Sequence, residues 1–183
     1  MNIPFNFTEY VDQTNKAFKK SNKARRRVLL AKDGLLRLKE QNIMANNSYI
    51  VDLSRYNYNS EASFKDTVNN GHNCLVCAKG ALLVSAVGRF NGYTNVELNF
   101  NSTKNAHKEL EKYFTLEQLD MIEIAFEGRS FMGILAERMV NDIAEASDIY
   151  KKCEAFYTNY KYKDNRLKAI LENIVKNKGE FIP

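Results

Sequence analysis

The sequence predicts a mainly α-helical fold, and three observations carry that expectation. Apolar residues recur at three- and four-residue spacing over most of the chain. The two prolines, Pro4 and Pro183, stand near the ends, so neither interrupts a helix. The longest apolar run, Cys74–Gly88, carries one charge, Lys79, and a helix that is apolar all round is normally buried all round. The expected architecture is a single compact domain over 1–183. About six to seven helices surround a buried central helix (74-88), with one or two short strands. Residues 1–20 would form a peripheral N-terminal helix.

The elements follow in order. Residues 7–20 place Tyr10, Val11, Thr14 and Phe18 on one side of a first helix. Ser21 or Asn22 caps a second. In it Ala24, Val28, Ala31, Leu35 and Leu38 keep helical spacing to about Gln41. Tyr49–Leu53 reads as a short extended piece, and a short helix starts at Ser60 or Ser63 and ends near Gly71. The central helix takes Asn73 as N-cap and Gly88 as C-cap. Residues 89–104 carry turn signals, with one strand around Val96–Phe100. Thr115 and Gln118 form a capping box for a helix that runs through Phe126 and stops at Gly128. Long amphipathic spacing covers about 131–158, and a last helix spans about 165–177, ended by Gly179.

Hydrophobic content of 44% and charged content of 27% fit a globular chain rather than a disordered one. No run approaches a membrane span. The segment Met1–Asn6 lacks the basic and apolar regions of a secretory signal. Three cysteines, an odd number, argue against a disulfide framework and for a reducing cytoplasm. Charge is segregated. Residues 1–43 hold ten Lys/Arg against four Asp/Glu, whereas residues 115–148 hold two against eight. Residues 149–183 are basic again, eight against four. Either the oppositely charged helices complement each other, or the basic ends face an acidic partner.

Cys74 and Cys77 stand one helical turn apart at the start of the expected helix. Oriented N–H groups there would lower a thiol pKa, which admits a redox pair. Zinc is the other option, with His72, Cys74 and Cys77 as ligands and Cys153 or His107 as the fourth. No second C-x-x-C exists, so the first reading is two small buried hydrophobes. Cys74, Cys77, Ala78, Ala81, Ser85 and Gly88 make a face of small residues. It suits close helix packing within the chain, or a homodimer across a two-fold axis. Lys79 is expected to reach the surface along its aliphatic stem, or else to meet an anion. With Arg89 and His72 it forms the candidate set for an anionic ligand.

Residues 16–39 hold ten basic side chains and one acid, Asp33. Lys19, Lys20, Lys23, Arg25, Arg26, Arg27 and Lys32 are the candidates for nucleic-acid contact. Tyr56, Tyr58, Phe90 and Tyr93 are available for stacking. The bland alternative is a solvated helix face. Asp120, Glu123 and Glu127 share a helix face and read as surface acids, with no histidine nearby in sequence. No nucleophile-elbow, Walker, dinucleotide or zinc-protease motif is present.

The phrase Cys74-Leu-Val-Cys77-Ala78-Lys79-Gly80-Ala81-Leu82 resembles a helix found in small bacterial, phage and plasmid proteins of uncharacterised function. The ending from Arg166 to Pro183 has a similar flavour. The resemblance implies a mobile-element setting and carries over no catalytic or binding residue. The functional expectation is a non-enzymatic cytoplasmic accessory protein acting on a host protein or small anionic ligand, without cofactor. A nucleic-acid binder using residues 16–39, and a zinc or thiol-redox protein using Cys74 and Cys77, are the alternatives.

Overall fold

The periodic segments form the helices expected of them, and the unperiodic apolar run divides into two elements. The computed structural model describes residues 7–47, 51–52, 74–90, 103–128 and 143–183. Within these residues the order is α1 (Phe7–Lys20), α2 (Lys23–Lys39), β1 (Ile43–Ala45), β2 (Val51–Asp52) and β3 (Cys74–Val76). There follow α3 (Ala78–Ser85), α4 (Thr103–Leu110), α5 (Leu116–Glu127), α6 (Ile143–Asn159) and α7 (Lys163–Lys176). A π turn, Ala86–Phe90, extends α3. The expected strand at 96–100, the short helix ending near Gly71, His72 and the first part of the 131–158 helix lie outside the described residues.

The chain is mainly helical, but the central helix is shorter than 74–88. Cys74–Val76 is the middle strand of a three-stranded sheet of order β1-β3-β2. It pairs in parallel with β1, Ile43 opposite Cys74, and antiparallel with β2, Val51 opposite Val76. A short apolar run carries no period to separate strand from helix, and here two neighbouring strands supply the backbone partners. The N-cap is therefore Cys77, not Asn73, and Gly88 lies inside the π turn rather than capping it.

Every residue of α3 is buried, and α2, α4, α5 and α7 pack around it. The small-residue face is used inside the chain. Gly34 of α2 lies where a Cβ would come within 3.7 Å of Ser85 Oγ and 3.2 Å of Leu171. Ala78, Ala81 and Ser85 are thus unavailable to a second copy.

Caps fix the flanking helices. Asn22 accepts from the Arg25 amide at 2.9 Å, and Thr115 accepts from the Gln118 amide at 3.2 Å. The Gln118 side chain departs from the capping box. It accepts from Phe181 N–H at 2.7 Å and donates to Phe181 C=O at 3.3 Å, which seats the buried Phe181 ring. Among described residues of α1, Phe18 is the core contact, stacked on Phe90 at 4.2 Å. That stacking removes Phe90 from the candidate stacking surface; Tyr56, Tyr58 and Tyr93 lie outside the described residues.

Candidate functional site

Lys79 sits in the first turn of α3 and is 3% exposed, so it does not reach the surface. A cation there is disfavoured twice, by burial and by the positive end of the helix dipole. The fold answers with an anion. Lys79 Nζ pairs with Glu123 of α5 and donates to His107 Nε2 of α4 at 2.8 Å. An ammonium has only donors, so His107 must accept at Nε2 and carry its proton on Nδ1. Burial first, and then the Lys79 charge, push the His107 pKa below 6.5; Glu123, Asp120 and Glu111 pull against that shift. Glu123 and Asp120 are therefore not surface acids. Glu123 faces Lys79, and Asp120 is buried.

A second ion cluster lies around Asp33, the lone acid of the basic helix. Its Oδ2 takes Arg37 Nε at 2.7 Å and its Oδ1 takes Arg89 Nε at 3.3 Å. Both carboxylate oxygens are occupied, and the π turn is what brings Arg89 there. Lys79 and Arg89, the two described members of the candidate anion-binding set, thus each hold a carboxylate of the chain itself. His72 lies outside the described residues.

The arginines of the basic segment divide. Arg26 donates to the carbonyls of Phe18 and Lys19. Arg27 donates to Gly179 C=O at 2.6 Å and Tyr113 C=O at 3.0 Å, joining α2 to two remote turns. These two side chains hold the fold together. Lys16, Lys19, Lys20, Lys23, Arg25 and Lys32 remain exposed, and no acid occurs between residues 16 and 32. The corner where α1 meets α2 is accordingly a strip of cations on long, mobile stems.

The three cysteines are reduced and buried. Burial raises Cys74 and Cys77 to about 11 and Cys153 to about 12. The Gly80 amide and the Lys79 charge pull Cys77 the other way, but desolvation wins. Cys74 is on a strand, so the helix N-terminus expected to activate it is absent. These are thiols, not thiolates, at neutral pH. Among the described residues no group of three His, Cys, Asp or Glu is placed to hold a metal ion.

Sequence reasoning missed His107 as a partner of Lys79. The signal was the lone cation in an apolar helix, which demanded an acid, but nothing local named which one. Comparison with family models, curated proteins and solved structures finds no match for this chain. No helix among the described residues is long and apolar enough to cross a membrane.

Proposed function

We propose that this chain is a non-enzymatic binding protein that engages an anionic macromolecule through the basic corner of α1 and α2. One observation carries the reading: exposed cations line the corner of α1 and α2, no acid occurs between residues 16 and 32, and Asp33, the acid that follows on α2, is buried in its pairing with Arg37. Asp33, Glu109 and Asp120 are buried and Glu123 is turned onto Lys79, whereas Lys16, Lys19, Lys20, Lys23, Arg25 and Lys32 are exposed. A small anionic ligand is the weaker fit, because Lys79 and Arg89 already hold carboxylates. A strip of flexible cations suits an extended polyanion, for which many weak contacts add and local shape matters little. The proposal sets this binding in a bacterial cytoplasm, on a host component, as a mobile-element protein would act.

Binding to heparin, followed by titration calorimetry across a salt series, tests the proposal. Affinity should fall steeply as salt rises, since exposed charges are screened beyond about 10 Å at 0.1 M salt. The triple variant Lys19→Glu, Lys20→Glu, Lys23→Glu should lose about tenfold or more in affinity while keeping its helical circular dichroism. Absence of binding to any polyanion, or binding indifferent to the triple reversal, would sink the proposal.

A further inference from the structure

We infer that the turn after α7 completes this basic surface, and that its partner is the phosphate backbone of a nucleic-acid duplex. The inference rests on the basic-corner reading above and narrows it.

The two regions are about 150 residues apart in sequence and touch in space. A Cβ on Gly179 would fall 2.4 Å from the Ala24 carbonyl oxygen, and Arg27 Nε lies 2.6 Å from Gly179 O. Ala24 stands between Lys23 and Arg25. Lys178, next to Gly179, is thereby carried to the edge of the α1–α2 corner, with Lys176 on the last turn of α7 behind it. Both are exposed. The basic character of residues 149–183 and that of residues 1–43 meet on one surface.

The backbone of Lys178 adds a second observation. The Gly179 amide donates to Ile174 C=O at 2.8 Å and the Lys178 amide to Val175 C=O at 3.3 Å. That pair of bonds closes a helix with a residue in the left-handed region, a place glycine fills without strain. Here Lys178 takes it, with φ of 56°. Gln41 ends α2 in the same conformation, so the turn itself is ordinary in this fold. What sets Lys178 apart is that a cation fills this left-handed position, one residue before the Gly179 that packs on Ala24 between Lys23 and Arg25.

The surface chemistry selects the partner. The exposed large apolar side chains among the described residues are Met44, Leu116, Tyr160, Tyr162 and Ile182. None of these is on α2 or on α1 from Gln13 onward, and Ile182 is tied to α7 by Asn173 through its own backbone. A membrane-binding surface needs an apolar face beside its cations, and a protein interface needs apolar or aromatic anchors at its centre. A single strand needs stacking rings, and among the described residues the rings near this corner, Phe18, Phe90, Tyr113 and Phe114, are buried. A duplex backbone needs only spaced cations. A carboxylate that opposes such binding is Glu180, 62% exposed and 3.9 Å from Arg27.

The test is fluorescence anisotropy of the full chain with a labelled duplex of about twenty base pairs, from about 50 to 200 mM salt. Lys178→Gly should weaken binding about threefold or more and reduce the salt slope by about one phosphate contact. The same variant should melt at a higher temperature, because glycine relaxes the left-handed turn. Lower affinity in a more stable protein separates a binding role from a structural one. Glu180→Gln should tighten binding. If Lys178→Gly and Glu180→Gln leave affinity unchanged while the Lys19, Lys20, Lys23 reversal abolishes it, this inference fails and the basic-corner proposal stands. Tighter binding to a single strand or to acidic phospholipid vesicles than to duplex overturns the choice of partner. No binding to duplex or to heparin overturns both.

Discussion

Replacing Glu123 by glutamine would leave the Lys79 ammonium, 3% exposed, without its carboxylate. Breaking a buried ion pair from one side costs about 3–5 kcal/mol, because a desolvated charge is left uncompensated. Glu123 is 21% exposed, so water reaches part of the site. His107 still accepts one Lys79 hydrogen bond. Both facts place the loss at the low end, about 3 kcal/mol. In a domain of this size that lowers Tm by about 6–12 °C. Lys79→Met removes the buried cation and frees a carboxylate that can hydrate, so it should cost less, about 1–2 kcal/mol. The double variant Lys79→Met, Glu123→Gln should lie close to Lys79→Met alone, since the glutamine then leaves no buried cation uncompensated. Urea unfolding of the four proteins gives the coupling energy directly, provided that the dependence on denaturant stays constant. Additive single losses, or a Glu123→Gln loss below about 1 kcal/mol, would refute the assignment of Glu123 as the counter-ion that Lys79 requires.

His107 is held neutral in the folded chain, with its pKa below 6.5. The unfolded chain therefore binds the proton first as pH falls, and stability drops from pH 6.5 downward until the native pKa is reached. One proton sets the upper limit of that slope at about 1.4 kcal/mol per pH unit. His107→Gln keeps an acceptor for Lys79 and should flatten that window in urea melts at pH 7 and 5.5, whereas an unchanged pH profile in the variant would remove His107 as its source. Gly128 ends α5 with φ of 68°, and a Cβ there would stand 2.6 Å from the Tyr157 ring. That ring also meets Arg166, whose guanidinium carbon is 3.8 Å from the ring centroid. Arg166 is itself fixed by the carbonyls of Tyr160 and Phe126, so the ring cannot retreat freely. Gly128→Ala should cost about 2–4 kcal/mol by the same unfolding assay, from left-handed strain plus displacement of the ring; a loss under about 0.5 kcal/mol would show that Tyr157 moves aside.

The helices were legible because their signals are local. Asn22 and Thr115 cap where their spacing from the apolar face placed them. Cys74–Val76 was not legible as a strand, because its identity depends on Ile43–Ala45, about thirty residues earlier. The helix Thr103–Leu110 is an exception, since the sequence reading places no helix between residue 104 and Thr115 and the opening Thr and Asn residues carry turn signals. The acids of α5 illustrate the limit for sites. A carboxylate face turned to water and one turned to a buried lysine share one sequence pattern, and only the packing of α3 against α5 decides between them. The arginine run was equally ambiguous. Arg25 faces solvent while Arg26 and Arg27 serve distant carbonyls, and adjacent residues on a helix point 100° apart. The approach of Gly179 to Ala24, which brings the end of α7 to the start of α2, is a contact no local pattern encodes.

The burial of the thiols has a use beyond packing. Cys74 belongs to the sheet, Cys77 to the cap of the innermost helix and Cys153 to α6. Each is desolvated and protonated, so an alkylating reagent can reach it only when its own part of the fold opens. The chain thus carries three internal stopwatches in separate elements. Mass-resolved labelling of the unmodified protein would time the opening of sheet, core helix and α6 independently, without a single engineered probe.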